Sequence, residues 1–215
     1  MATSSDGQPR SDLIERVNAR LQEGFYEQSA VIDRTVELLA ADLQRNLDSC
    51  PVGEGNAYRD RVRDVCEFVW SDVFDKANTQ VEISNCGARI DIEFPIRLES
   101  LLSFPLLVQW VQRYGATSIF AEVKNEKRKA VISDAKQIVG DLAVARRGKV
   151  GFLVTRRGFT LATMRYLGAL ARCHEYLVLP LSHQDLGELI RRRLLGATAT
   201  MEFLRIRQGE LLQAA

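Results

Sequence analysis

Histidine and closely spaced cysteines are scarce in this sequence, and their scarcity argues against a zinc site. The chain has two histidines, His174 and His183, and no two of its cysteines form a CxxC pair. Zinc sites in proteins use Cys and His ligands at short, regular spacings. We therefore expect buried, reduced thiols in a cytoplasmic protein at all four cysteines, which are Cys50, Cys66, Cys86 and Cys173.

Long apolar segments are missing as well. The 215 residues contain no apolar run of about 18, the length that a membrane-spanning helix needs. The first residues, MATSSDGQPRSD, lack the apolar core of a secretion signal. We therefore expect a cytoplasmic protein without a membrane segment. The composition, 46% apolar and 27% charged, is typical of a globular chain that buries a core without disulfides.

A net charge of +1 hides an uneven distribution of charge along the chain. Residues 1–123 carry 12 basic and 20 acidic side chains, whereas residues 124–215 carry 17 basic and 8 acidic ones. Such a split indicates an acidic site beside a basic face, or two halves that simply present solvated surfaces.

Hydrophobic periodicity predicts a helical N-terminal part, followed by alternating helices and strands. Residues 11–48 carry helical stripes, the first made by Leu13, Val17 and Leu21, and Gly24 divides them into two helices. A helix is predicted at 58–74, and a β-hairpin at 81–84 and 89–94 around Asn85-Cys86-Gly87.

Further elements follow the hairpin in a regular order. A helix runs from Pro105 to Gly115, and strands are predicted at 118–124, 150–155 and 176–179, the last ended by Pro180. The helices between and after them cover 133–145, capped by Ser133, then 160–172, a helix starting at Ser182, and 199–212. This order predicts a mixed α/β domain with helices packed on a central sheet.

The periodicity also suggests a division of the chain. We assign residues 1–55 to an N-terminal helical extension and residues 56–215 to the main domain. The apolar stripes of the extension must be covered by the core, by a second copy in a homodimer or by a partner protein.

Three charged residues, Asp91, Glu122 and Lys124, lie in strand segments where alternate side chains share a face. If the two strands pair, these side chains converge on one side of the sheet. Two carboxylates and a backbone carbonyl, here that of Val123, form an oxygen cage that suits Mg²⁺, which polarises a phosphodiester. Beside the cation, Lys124 should have a lowered pKa and could act on the water or the developing charge.

The Glu-x-Lys triplet is weak evidence alone, because one is expected by chance in a chain of this length. A rival, Asp134-x-Lys136, lies in a helical segment, where residues two apart do not share a face. The context favours Glu122 and Lys124, since an acidic hairpin strand precedes them and a basic helix follows. A surface ion pair on an edge strand is the simpler alternative.

These segments resemble the PD-(D/E)xK nuclease superfamily, above all its type IV, restriction-endonuclease-like members. The resemblance rests on RIDIEF at 89–94, a helix with Trp110 and Tyr114, and FAEVKN at 120–125. In that family a hairpin Asp precedes a strand ending in Glu-x-Lys, and a helix carrying Gln commonly follows. The likeness covers about residues 57–195, and Ile90 stands where the family name has a proline, a position that varies in such families.

The resemblance implies a restriction-endonuclease-like mixed central sheet flanked by helices, and a Mg²⁺-dependent nuclease, with Mn²⁺ as a possible substitute. Asp91, Glu122 and the Val123 carbonyl would hold the metal. Lys124 would assist the attacking water, and Gln137 would position a phosphate or water unless it is only a polar residue on a half-exposed helix.

A helix before the hairpin often adds an acidic residue near the metal in this family. Glu67 is preferred to Asp64, because it borders the apolar side of its helix. A solvated helix face explains Glu67 equally well.

Basic residues follow the Glu-x-Lys strand and the next helix, and such clusters can hold phosphates without reading bases. They are Lys127, Arg128, Lys129, Arg146 and Arg147. Nucleic acid is thus the expected partner, and analogy with the family favours DNA over RNA. The alternative is a catalytically silent nucleic-acid-binding or assembly module on the same fold, which would usually have lost one of the three charged residues.

Overall fold

A computed structural model describes residues 28–82 and 89–214 of the chain. The chain separates into two compact units, one ending at Asp42 and one running from Leu43 to Ala215. The division at residue 55 stays a prediction. Four predicted features lie outside the described residues, namely the stripe of Leu13, Val17 and Leu21, the break at Gly24, the hairpin turn at 85–87 and the burial of Cys86.

The other three cysteines are free thiols. Cys50 and Cys66 are buried as expected, whereas the burial predicted for Cys173 is wrong, because it follows the end of a helix and is exposed.

Seven α-helices and five β-strands, numbered here in chain order, make up the described residues. The helices are α1 (Gln28–Ser49), α2 (Gly55–Val69), α3 (Pro105–Tyr114), α4 (Ile132–Ala145), α5 (Leu161–Arg172), α6 (His183–Arg193) and α7 (Ala197–Gln213). The strands are β1 (Asn78–Glu82), β2 (Arg89–Pro95), β3 (Ser118–Lys124), β4 (Val150–Thr155) and β5 (Leu177–Ser182). Within the described ranges, no helix combines the length and hydropathy of a membrane-spanning segment.

One mixed sheet of five strands forms the centre of the larger unit, in the order β1-β2-β3-β4-β5. The hairpin strands β1 and β2 pair antiparallel, and β2 pairs antiparallel with β3. Strands β3, β4 and β5 are parallel, because a helix returns the chain between them. The predicted mixed α/β fold, a central sheet flanked by helices with a helix at the N-terminal side of the chain, is confirmed.

Helices cover both faces of the sheet, as two neighbouring residues of β4 show. A Cβ on Gly151 would lie 3.1 Å from the Ile138 side chain of α4, so this helix packs closely on one face. Phe152 points to the opposite face, where its ring lies 5.2 Å from that of Trp70 and 6.5 Å from that of Trp110. Trp110 is therefore a core residue and is not exposed for base stacking.

Local signals at the helix ends mostly match the sequence. Pro105 opens α3, and Gly115, with a φ of 63°, ends it in the left-handed conformation that glycine adopts easily. The Ser182 hydroxyl accepts the Asp185 amide at 3.2 Å and caps α6. The cap predicted at Ser133 is wrong, because α4 begins at Ile132 and the Asp134 carboxylate accepts the Val131 amide at 2.8 Å.

Two element boundaries also differ from the prediction. The strand β5 does not stop at Pro180 but continues through it to Ser182. This is possible because, among the described strands, β5 lies at the edge of the sheet and pairs with β4 alone, and an edge position tolerates the missing amide. Helix α2 ends at Val69 rather than at Phe74, whose backbone instead forms a bridge with Ile96.

Candidate active site

The parallel strands β3, β4 and β5 all have their carboxyl ends on the same side of the sheet. The candidate site lies at these strand ends, which form the active-site edge of the sheet. Lys124, Thr155 and Ser182 are register partners across these three strand ends. In parallel sheets, ligands bind at the carboxyl ends of the strands. The hairpin strand β2 reaches this edge from the other side of β3.

Asp91 joins the site through the backbone of β3. The ladder between β2 and β3 is paired from Pro95 with Ser118 to Ile92 with Ala121, one residue short of Asp91. Beyond that pair the Asp91 carboxylate itself accepts the Val123 amide, with 2.9 Å between Oδ2 and N. This bond holds the aspartate at the backbone of the residue between Glu122 and Lys124, and its role in metal binding stays a prediction.

Glu122, Lys124 and Gln137 form a closed hydrogen-bond network. Lys124 Nζ donates to Glu122 Oε1 at 2.6 Å and to Gln137 Oε1 at 2.9 Å. The amide nitrogen of Gln137 donates to Glu122 Oε1, also at 2.9 Å. The strand period brings the first two together, and α4 brings Gln137 to the same face. Gln137 therefore holds both charged groups in place.

Burial gives this network unusual electrostatics. Glu122 is 5% exposed, and burial together with the charge of Asp91 raises the pKa of Glu122 from 4.5 to about 7. Burial alone would lower the pKa of Lys124, but its hydrogen bond to Glu122 and the nearby carboxylates raise it overall. The fall expected for Lys124 depends on a bound cation and stays a prediction.

The donor set suits Mg²⁺ on chemical grounds. Asp91 and Glu122 are close enough for the charge of one to raise the pKa of the other, and a cation would offset that repulsion. Mg²⁺ is typically held by one or two carboxylates and keeps several of its waters. Among residues 28–82 and 89–214, no group of three or more His, Cys, Asp or Glu side chains could share an ion. Carbonyl and water oxygens would have to complete the shell.

Glu67 has a different partner in this structure. Its Oε1 accepts the amide of Ala77 at 3.1 Å and so ties α2 to the start of the hairpin. It lines a cavity of about 240 Å³ with Trp70 and Phe94, and none of the other proposed metal ligands lines that cavity. The structure thus does not place Glu67 with Asp91 and Glu122, and its metal role stays a prediction.

The predicted phosphate-binding residues lie at two different edges of the sheet. Lys127, Arg128 and Lys129 follow β3 directly and are exposed at the active-site edge. Arg128 is engaged there, since it bonds the Asp134 carboxylate at 2.7 Å. Arg146 and Arg147 follow α4, before β4 begins, and so lie at the opposite edge.

Arg147 has a structural contact at that far edge. Its guanidinium pairs at 2.7 Å with Glu93, a carboxylate that is only 1% exposed, and its carbonyl accepts the Thr117 amide just before β3. The structure therefore does not bring Arg146 and Arg147 to the candidate site.

Two further residues at the site, Asp141 and Asn125, were assigned no role from the sequence. Asp141 is half-buried one helical turn after Gln137, and burial raises its pKa, with Lys124 and Asp91 contributing in opposite directions. The i, i+4 spacing from Gln137 was the available signal. Asn125, which follows Lys124, donates through Nδ2 to the carbonyls of Pro51 and Glu54 and so anchors the loop before α2.

Comparisons with known proteins give one distant similarity. No protein-family model and no curated protein matches the sequence. A solved structure of the MspJI restriction endonuclease in complex with a 27-mer oligonucleotide is similar with a TM-score of 0.41 and 17% sequence identity. The similarity covers 87% of this chain but 37% of that protein, so this chain spans well under half of its length.

Proposed function

We propose that the protein is a metal-dependent nuclease of the PD-(D/E)xK type, with a restriction-endonuclease-like fold, that hydrolyses phosphodiester bonds of nucleic acid, DNA more readily than RNA. The observation that supports the proposal is the convergence of Asp91, Glu122, Lys124 and Gln137 at one strand end. These are the residue types that the chemistry needs, at the edge of the sheet where ligands bind. Glu122, Lys124 and Gln137 contact one another, and Asp91 is bonded to the backbone amide of Val123 between Glu122 and Lys124.

Each side chain has a distinct task in this proposal. Asp91 and Glu122 hold Mg²⁺ or Mn²⁺, and the bound cation supplies Lewis-acid activation of the phosphate and of a water. Lys124 donates a hydrogen bond to the water or to the charge that develops on the phosphate. Gln137 keeps the Lys124 ammonium beside Glu122, which limits its freedom before the reaction.

Cleavage assays on the full chain test the proposal directly. Supercoiled plasmid, linear duplex, single-stranded DNA and RNA are incubated with Mg²⁺, Mn²⁺ or EDTA. We expect cleavage that depends on the divalent cation, with DNA cut faster than RNA. Absence of cleavage of all four substrates in both metals would contradict the proposal.

Substitution of Lys124 separates this activity from a contaminating nuclease. Lys124→Ala should lower single-turnover cleavage by a factor of about 100 or more, the range for losing an electrostatic stabiliser. Lys136→Ala is the matched control, because Lys136 is an exposed lysine on α4, one residue before Gln137, in the rival Asp-x-Lys triplet. Equal cleavage by the wild type and Lys124→Ala would remove Lys124 from the mechanism.

One observation favours the alternative, a silent nucleic-acid-binding or assembly module. Oε1 of Glu122 already accepts from both Lys124 and Gln137, so the network is satisfied by the chain's own groups. Calorimetric titration with Mn²⁺ in the presence of nucleic acid discriminates between the two. A nuclease should bind the metal, whereas a silent module should bind nucleic acid with no metal uptake.

A further inference from the structure

A second polar cavity opens at the active-site edge of the sheet, beside the catalytic network. It has a volume of about 550 Å³, within the range of roughly 300–1,000 Å³ typical of ligand pockets. Its walls are Val52, the segment Arg156–Gly158 that follows β4, and the residues Ser182–Gln184 that begin α6. The proposed catalytic residues do not line it, so a ligand bound here would occupy a site separate from the catalytic network.

The walls of this cavity carry positive charge. Arg157 is exposed and forms no ion pair or hydrogen bond within the described part of the chain. Arg156 donates to the Cys50 carbonyl at 2.6 Å and stacks over the ring of Tyr58, which holds its charge in place. Its charge also helps to lower the pKa of the nearby Asp48 carboxyl, which does not line the cavity. Of the described residues that line the cavity, none is acidic.

The start of α6 also lies at the cavity, where the Asp185 carboxylate of its first turn accepts the Ser182 amide at 2.7 Å and pairs with Arg207. This 11-residue helix begins at the cavity, and the amino end of a helix carries a partial positive charge.

His183 forms part of the wall, and its ring is fixed by Asp48 at 2.9 Å and by the Tyr58 hydroxyl at 3.3 Å. The His183 ring is therefore held in place, and the Asp48 carboxylate that contacts it also accepts from the Gln44 amide at 2.9 Å.

Backbone bonds tie the cavity to the catalytic strand. The Arg156 amide donates to the Lys124 carbonyl at 3.1 Å, and the Gly53 amide donates to the Asn125 carbonyl at the same distance. Ser182 and Lys124 are two strand spacings apart, about 10 Å at roughly 4.8 Å per spacing. At about 3.4 Å of axial rise per nucleotide, this distance corresponds to about three nucleotides.

We infer that this cavity binds a backbone phosphate of the nucleic-acid strand, within about three nucleotides of the bond that is cut, and that Arg157 is its main contact. The inference rests on the proposed function, because it assumes a nucleic-acid substrate at Lys124. It names Arg157, which the charge runs of the sequence did not single out. The contact positions the strand and carries no base specificity.

Neutral-phosphate scanning tests the inference on the full chain. A labelled duplex is prepared as a series with one methylphosphonate at each position in turn, and affinity is measured in Ca²⁺. For the wild type, one substitution within three nucleotides of the cut should weaken binding several-fold. For Arg157→Ala that penalty should disappear. The slope of log affinity against log salt concentration should become shallower by about 0.9, the value for one phosphate contact.

Arg172→Ala is the matched control. Arg172 is also exposed and forms no ion pair in the described residues, but it ends α5 at the far edge of the sheet. This variant should keep the wild-type penalty profile, and Arg157→Lys should restore part of it. Melting temperatures verify that all variants are folded.

The outcomes separate this inference from the proposed function. Identical penalty profiles for the wild type, Arg157→Ala and Arg172→Ala would overturn the phosphate site even if the duplex is cleaved. A penalty that depends on Arg157, without cleavage in Mg²⁺ or Mn²⁺, would support the phosphate site and overturn the nuclease. Binding of inorganic phosphate without binding of any duplex would overturn the nucleic-acid assignment of the cavity.

Discussion

Replacing Glu122 with glutamine should stabilise the metal-free protein at alkaline pH while abolishing its proposed activity. Burial and Asp91 raise the pKa of Glu122 from 4.5 to about 7, so the folded protein binds this proton more tightly than the unfolded chain does. The contribution of Glu122 to stability is therefore most favourable below pH 4.5 and is lost as the pH rises through about 7. Glutamine has the shape of the protonated acid and cannot ionise.

The size of the effect follows from the same pKa. The difference between 4.5 and about 7 corresponds to roughly 3 kcal/mol of unfolding free energy. At pH 8 the folded wild type carries the full cost of an ionised, buried Glu122, so Glu122→Gln should be about 3 kcal/mol more stable than the wild type. At pH 5 the folded wild type keeps its proton, and the gain should shrink to about 1 kcal/mol. The larger gain corresponds to roughly 6–12 °C in Tm for a chain of 215 residues.

Urea unfolding in EDTA at both pH values measures this difference. Glu126→Gln is the control, because Glu126 is a nearby glutamate that pairs with Arg128 but is 44% exposed, and it should change stability by under about 0.5 kcal/mol. Excess Mn²⁺ should narrow the gap, since a metal bound only by the folded state stabilises the wild type. A Glu122→Gln protein that is less stable than wild type at pH 8, or equally stabilised at both pH values, would refute the reasoning.

Three further variants test the metal site, the docking charges and the stability of the fold. Asp91→Ala should abolish the rise in Tm that Mg²⁺ or Mn²⁺ gives the wild type, as measured by calorimetry. The logarithm of duplex affinity in Ca²⁺ should fall with the logarithm of salt concentration, with a slope near −0.9 per neutralised phosphate. Replacing Lys127 and Lys129 with alanine should make this slope shallower by about 2. An affinity independent of salt would exclude this basic surface as the docking site. Arg147→Ala should lower the urea-unfolding free energy by about 1–2 kcal/mol, because it leaves the buried Glu93 carboxylate unpaired, while the 58% exposure of Arg147 keeps the cost below that of a fully buried pair. An unchanged midpoint would show that water replaces the guanidinium.

The sequence predicted the order of elements because each one carries its own local signal. Apolar runs such as 150–155 form the central strands, and Pro105 and Gly115 bound α3 as expected. The predicted boundaries were wrong where the tertiary structure overrides a local signal. Pro180 normally interrupts a strand, but whether β5 is an edge strand depends on the order of the whole sheet.

The same distinction explains how much of the site was predictable. The strand period of two placed Glu122 and Lys124 on one face, and the structure has them in contact at 2.6 Å. The bond from the Val123 amide to Asp91 could not be predicted, since it depends on where the pairing of β2 with β3 ends. The contact of Glu67 with the Ala77 amide could not be predicted either, because it depends on the angle at which α2 packs against the hairpin.

Helix length, rather than closeness in sequence, decides which basic residues can reach one bound strand of nucleic acid. Lys127 and Arg146 are separated by α4, whose 14 residues extend about 21 Å and carry the chain from one edge of the sheet to the other. The next strand, β4, then returns it to the active-site edge, where Arg157 follows. Residues after parallel strands therefore share an edge with Lys124, whereas those after the connecting helices do not. Arg146→Ala should accordingly change duplex affinity in Ca²⁺ much less than Arg157→Ala, and a larger loss for Arg146→Ala would show that the strand runs across the far edge of the sheet.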